Sequence, residues 1–219
     1  PLNTTEKQFE SDIAAALLSL AGGYTRNGDC YDPKLGLFVD TLIRFVQTTQ
    51  PNEWAFFEKQ NPVNPVRKFC TAFNNACDAD GLLSVLRYGF KHRGRRFRVC
   101  YFQPESALNQ KDAQRYAQNE ITCNRQWFYS DTTHNSVDMM LAVNGIPVFA
   151  FELKNQFTGQ TVENAKQQWM HDRDPREVCF QFNKRILGYF CVDLTEVWMA
   201  TRLAGKDTRF LPFHQGSNG

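Results

Sequence analysis

The sequence predicts an α/β (α+β) fold: a mixed β-sheet flanked by helices, with an N-terminal helix and a helical segment before the sheet. Three observations lead there. Apolar residues recur at helical spacing at the start of the chain. Proline-punctuated helical patterns fill residues 31–80. Two strand-length apolar runs, 137–143 and 148–154, then flank Asn144-Gly145, a dipeptide suited to a tight hairpin turn. With 219 residues, 42% of them hydrophobic and Phe dominant among the aromatics, the chain can bury one core and is expected to form a single domain, 1–219.

In order along the chain, Thr5 and Gln8 make a capping-box pattern. Phe9, Ile13, Ala16, Leu17 and Leu20 then share one helical face, and Gly22-Gly23 stops the helix. Glu6 suits the positive end of that helix dipole, while Glu10 flanks the buried stripe. Leu42, Phe45 and Val46 suggest a helix ending before Gln50-Pro51. A short helix at 54–60 and a third around 66–77 follow, the latter after Pro62 and Pro65. Residues 82–103 carry strand patterns around a basic turn centred on Gly94, with Arg93, Arg95 and Arg96 as candidate phosphate contacts or as a solubilising hairpin tip. Residues 119–129, with Arg125 and Gln126, lead into the central hairpin, where Arg125 is a candidate for ordering a substrate phosphate or for a structural hydrogen bond.

Side chains alternate along a strand, so Val148, Ala150, Glu152 and Lys154 share a face, with Phe149, Phe151 and Leu153 opposite. Asp138 enters the neighbourhood of Glu152 and Lys154 from the paired strand. Two carboxylates and an ammonium at a strand end can bind a hard divalent cation and orient a water, as phosphodiester hydrolysis requires. A surface hairpin with a solvated Glu–Lys pair has the same local pattern. Beyond the hairpin, residues 161–171 form a helix bearing Gln167, Gln168 and Trp169; 179–182, 187–192 and 196–200 have strand character; and 214–219 have a linker's composition.

Composition excludes several classes. A formal net charge of +2 argues no general affinity for nucleic acid, so any DNA surface must be local. Seven cysteines without paired spacing fit free thiols in a reducing cytoplasm, and four dispersed histidines form no metal motif. There is no apolar run of membrane-spanning length, no signal-peptide pattern and no G-x-x-x-x-G-K-[ST] phosphate loop.

The pattern D-x(13)-E-x-K, from Asp138 to Lys154, is the core of the PD-(D/E)xK nucleases. Around it, VNGIPVFAFELKN, AKQQWMHDRDPREVCFQF and TRFLPFHQG, with TTEKQFE, YDPKLGL, FVQTTQPNEW, LRYGFK and RYAQNEITCNRQ upstream, resemble the N-terminal nuclease region of type I restriction enzyme R subunits. The resemblance spans nearly the whole chain. It implies a restriction-endonuclease-like core and Mg²⁺-dependent cleavage of double-stranded DNA, with Mn²⁺ as a possible substitute metal. Asp138 and Glu152 would be metal ligands and Lys154 would be catalytic, with Gln168 and Glu10 as secondary candidates. The family's adjacent Gln and Tyr are matched here by Gln168 and Trp169, leaving the Tyr replaced. The resemblance further implies ATP-driven motor domains outside this chain, methyltransferase and specificity subunits as partners, and a cytoplasmic setting. Another PD-(D/E)xK nuclease, solo or methyl-directed, and a non-catalytic docking domain on DNA or the enzyme assembly are the alternatives.

Overall fold

The computed structural model describes residues 24–26, 28–102 and 110–213. The helix expected at residues 5–20, Glu10 with it, and the linker expected at 214–219 lie outside the described residues.

Four helices form one layer. Helix α1 (Val39–Thr49) buries Leu42, Phe45, Val46 and Thr49, the i, i+3, i+4, i+7 set of an amphipathic helix. It stops at Gln50, because Pro51 cannot continue the ladder yet suits the first position of α2 (Pro51–Gln60). The Gln50 amide turns aside to donate to the Arg98 carbonyl and accept from the Arg98 N–H, both at 2.7 Å. Trp54 and Phe57 of α2 then meet Phe69 of α3 (Pro65–Asp80). Gln50, Pro51 and Trp54 thus serve clamp, helix start and core in a stretch whose role the sequence left unexplained. Residues 82–88, predicted to be a strand, are instead helix α4 (Leu82–Tyr88). Gly81 and Gly89 bound a run of strand length, but Leu82, Val85 and Leu86 are buried at helical spacing. Gly89, at φ +68°, has no room for a side chain: a Cβ would stand 2.1 Å from the Phe97 carbonyl oxygen.

Two small antiparallel hairpins attach to this layer: β2 (Tyr31–Asp32) with β3 (Leu37–Phe38), and β4 (Phe90–His92) with β5 (Arg95–Phe97). The first lies inside the segment expected to be mainly helical; the Asp32 carboxylate accepts from Lys34 and Leu35 N–H groups to form its turn. The second turns at Arg93-Gly94, where the basic turn was predicted.

A seven-stranded mixed sheet makes the other layer, in the order β1-β6-β7-β8-β9-β10-β11. It comprises β1 (Tyr24–Arg26), β6 (Ile121–Phe128), β7 (Ser136–Val143), β8 (Ile146–Leu153), β9 (Gly188–Val192), β10 (Val197–Ala200) and β11 (Leu211–Pro212). Strands β6, β7 and β8 are antiparallel neighbours, while β1–β6 and β8–β9 are parallel. The parallel β8–β9 step requires a crossover, which supplies α6 (Val162–Gln167) and a single π-helical turn, Gln168–Asp172, matching the predicted helix at 161–171. Before β6, α5 (Gln110–Ala117) buries no residue. Residues 179–182, predicted as a strand, instead enter the core through a 3₁₀ turn, Val178–Phe180, closed by the Phe180 N–H on the Glu177 carbonyl at 2.9 Å. Cys179 and Phe180 are buried there as a strand's would be, which is why composition alone misplaced them.

The Asn144-Gly145 turn, φ +50° and +78°, has the left-handed conformations of a tight hairpin. It is not a surface tip. Asn144 is fully buried; its amide donates to the Val99 carbonyl at 2.9 Å and to Asn119 Oδ1 at 3.0 Å, and accepts from the Glu120 N–H at 2.7 Å. The Gly145 carbonyl receives the Phe38 N–H at 2.9 Å.

Candidate active site

Register places the carboxylates. Met139 of β7 faces Phe151 of β8, which brings Asp138 level with Glu152 across the pair. Asp138 Oδ2 accepts the Leu153 N–H at 2.8 Å, tying its side chain to the end of β8. Glu152 is fully buried, so the solvated Glu–Lys surface pair is excluded for this hairpin. Lys154, just past β8, is 5% exposed, and its N–H donates to the Val192 carbonyl at 2.8 Å, extending the β8–β9 pairing by one residue. Strand alternation sends Glu152 and Lys154 to one side, as the sequence implied.

Glu152 meets a cation that the sequence did not suggest. Arg173, 7% exposed, donates to Glu152 Oε1 through Nε at 3.1 Å and Nη2 at 2.6 Å. The same Nη2 donates to the Ser136 carbonyl at 2.9 Å. The other carboxylate oxygen, Oε2, is buried and receives no N–H or hydroxyl donor; the Asp138 carboxyl, close enough to share a proton with Glu152, is the neighbouring acid. Burial, reinforced by the neighbouring Asp138 carboxylate, pushes the Glu152 carboxyl up to about 8; Arg173 pulls it only part of the way back. Arg173 itself is raised by Glu152, the expected response of a cation to its counter-ion.

The crossover holds the far wall. Asp193 accepts the Val162 N–H at 3.1 Å and the Thr195 and Glu196 N–H groups at 2.8 Å, fixing the start of α6 over the β8–β9 strand ends. Thr161 and Asn164 add a reciprocal cap. Val162, Ala165 and Trp169 form the buried face, and the Trp169 indole donates to the Phe190 carbonyl at 3.1 Å. Trp169 is therefore core packing. Gln168, at the start of the π-turn, is half-buried, and its Oε1 is buried without a partner. The π-turn widens the helix by one residue per turn and ends at Arg173.

Among the described residues no three Asp, Glu, His or Cys groups cluster as a metal cage. Asp138 and Glu152 nevertheless offer hard oxygen donors, one of them a buried oxygen that receives no N–H donor. Mg²⁺ typically takes one or two protein carboxylates and keeps several waters, so this donor set fits it.

The remaining candidates are distributed. Arg125 is exposed on β6, opposite Met139 and so one position from the level of Asp138. Its neighbour Gln126 adopts φ +49°, rare for a non-glycine residue within a strand, and accepts from the Ser136 hydroxyl at 2.9 Å. Arg93, Arg95 and Arg96 lie on the β4–β5 hairpin of the helical layer rather than on the sheet bearing the carboxylates. There Arg93 bonds Gln60 Oε1 at 2.7 Å, Arg95 stacks 4.3 Å from the Phe56 ring centre, and Arg96 donates to the Tyr88 carbonyl. Arg173 escaped sequence reasoning because its partner is 21 residues away; the alternating Asp172-Arg173-Asp174 is its one local signal. Among the described residues, no helix is long and apolar enough to cross a membrane.

No curated protein matches the chain. The family model of the type I restriction enzyme R protein N terminus matches residues 3–211.

Proposed function

The chain belongs to the family of type I restriction enzyme R protein N termini, and we propose that it is the endonuclease domain of such a subunit, hydrolysing phosphodiester bonds in double-stranded DNA with Mg²⁺. The observation that carries this reading is the pair of carboxylates held level on adjacent strands, with one Glu152 oxygen buried and receiving no N–H donor. Leaving a carboxylate oxygen desolvated is costly unless a ligand completes it.

In this reading Asp138 and Glu152 hold the cation. When bound, Mg²⁺ supplies Lewis acidity and a more acidic water. Lys154, placed beside Glu152 at the strand end, orients the attacking water and offsets the charge that develops on the scissile phosphate. Gln168 has a buried amide oxygen without a partner, able to accept from a water. Arg125 is the basic side chain on the sheet best placed to steady a neighbouring phosphate. In the complete subunit, cleavage is coupled to ATP-driven translocation, and methyltransferase and specificity subunits supply the recognition of the DNA sequence.

The test is Glu152→Ala and Lys154→Ala in the complete R subunit, assembled with its partner subunits. Both variants are expected to translocate and to keep a parental circular-dichroism spectrum while losing cleavage of duplex DNA. Cleavage at the parental rate by either variant removes the site assignment.

A further inference from the structure

We propose that Arg173 is a positioning residue for this site: it fixes the Glu152 carboxylate so that Oε2 alone is offered to the divalent cation. The inference rests on the nuclease reading above and extends it to a residue that lies outside the D-x(13)-E-x-K pattern.

The geometry is asymmetric in a way that a simple counter-ion would not require. An arginine fork facing a carboxylate commonly pairs with both oxygens, one N–H to each. Here both donors converge on Oε1, at 3.1 Å and 2.6 Å, and Oε2 receives no N–H donor in a site closed to solvent. One oxygen is thereby committed, and turning the carboxylate out of this orientation, as two-oxygen coordination of a cation would require, costs both hydrogen bonds. The result is a single-oxygen ligand whose orientation is set before the cation arrives. Mg²⁺ has near-octahedral demands and keeps several waters, so it gains from a carboxylate that occupies one position rather than two.

Arg173 also braces the opposite strand. Its Nη2 donates to the Ser136 carbonyl at 2.9 Å, two residues before Asp138. One guanidinium therefore spans the origin of β7 and the end of β8, and fixes the carboxylates relative to each other. Its own position is set by the π-turn Gln168–Asp172, whose wider winding ends with Arg173 in extended conformation, and by the Tyr129 ring, 5.6 Å from the guanidinium carbon. A lysine has the charge but not the planar fork, so it cannot reproduce two donations to Oε1 and a third to Ser136 from fixed directions.

The test is Mn²⁺ binding to the chain by calorimetry, with the Mn²⁺ paramagnetic-resonance spectrum as a report of coordination symmetry, for the parent, Glu152→Ala, Arg173→Lys and Arg173→Met. Thermal melting establishes folding, and Arg173→Lys is the variant read if Arg173→Met does not fold. The expected result is binding lost in Glu152→Ala and weakened about 10- to 100-fold in Arg173→Lys, the usual effect of removing a partner that orients a metal ligand. The resonance spectrum of Arg173→Lys should broaden, because Glu152 is free to coordinate through one oxygen or through both and in more than one orientation. Parental affinity with a parental spectrum in Arg173→Lys overturns the proposal. So does tighter binding, which would make Arg173 a competitor of the cation. A parent chain that takes up no Mn²⁺ removes the nuclease reading and this inference together, whereas binding that requires Glu152 but ignores Arg173 removes the inference alone.

Discussion

The affinity of the site for a divalent cation should depend steeply on pH, in a range where an ordinary glutamate is already ionised. Glu152 is pushed up to about 8 by burial and by Asp138. A ligand carboxylate must lose its proton before it coordinates, so binding draws on the ionised fraction alone. With a pKa of about 8, that fraction is roughly one-tenth at pH 7 and one-hundredth at pH 6, so apparent affinity should rise about tenfold per pH unit and level off above pH 8. Each such step is about 1.4 kcal/mol. Calorimetric titration of Mn²⁺ between pH 6 and 8.5, in two buffers of different ionisation enthalpy, measures both affinity and proton release. About 0.9 proton should be released per ion bound at pH 7 if Glu152 alone titrates. The linkage has a second face. Because the folded-state pKa lies above the unfolded value of 4.5, the metal-free fold is most stable below that value. It loses stability as pH rises from there to about 8, by up to about 1.4 kcal/mol per unit, and the loss levels off above that. Flat affinity from pH 6 to 8.5 with no proton release would refute the assignment of a cation-displaced proton to Glu152.

Three further outcomes are expected. Asn144→Ala removes two donations and one acceptance inside the core, and should cost about 3 kcal/mol, lowering Tm by roughly 6–12 °C in a calorimetric scan; a change under about 1 kcal/mol would deny the turn its anchoring role. Arg185 is fully buried and donates to the carbonyls of Leu35 at 3.0 Å and Gly36 at 2.7 Å and to the Asn74 side chain. Arg185→Ala should therefore shift the urea midpoint by about 3 kcal/mol of stability, and an unchanged midpoint would show those carbonyls satisfied by water. Charge reversal at Arg95 and Arg96 should weaken DNA binding by the R subunit and lower its salt slope by about 2 if both contact phosphates; an unaltered slope confines them to Phe56 and Tyr88.

Much of the site was legible because its determinants are local. Strand alternation puts Glu152 and Lys154 on one side, but the Asn-Gly turn alone would bring Val137 level with Glu152; the register shift at Leu141/Ala142, which the sequence does not announce, brings Asp138 there instead. What was illegible depends on distant packing. The Asn144 side chain reads as turn chemistry, yet most of its hydrogen bonds reach residues 25 and 45 positions earlier. The alternating Asp172-Arg173-Asp174 marks Arg173 locally but does not point to a partner 21 residues upstream. Leu82–Tyr88 was misread as strand because a seven-residue apolar run between glycines suits either element, and the choice is made by α3, against which the helix packs.

The hairpin that bears the carboxylates is held at both ends, and this bears on its electrostatics. At the turn, Gly145 packs so closely on α1 that a Cβ would lie 2.5 Å from the Phe38 carbonyl oxygen, while Asn144 bonds the loop before α5 and the start of β6. At the open end, Asp138 bonds the Leu153 N–H, and Arg173 bonds Glu152 and Ser136. Between them a register shift at Leu141/Ala142 moves the pairing by one residue and so brings Asp138, rather than Val137, level with Glu152. Two carboxylates on a free hairpin would separate or turn to water, and their repulsion would dissipate. Pinned at both ends, they stay adjacent, and the repulsion is relieved by a proton on Glu152 or by a divalent cation. On the proposed nuclease reading, proton and cation compete for one buried oxygen, and the helical layer that anchors Gly145 contributes to that competition without supplying a ligand.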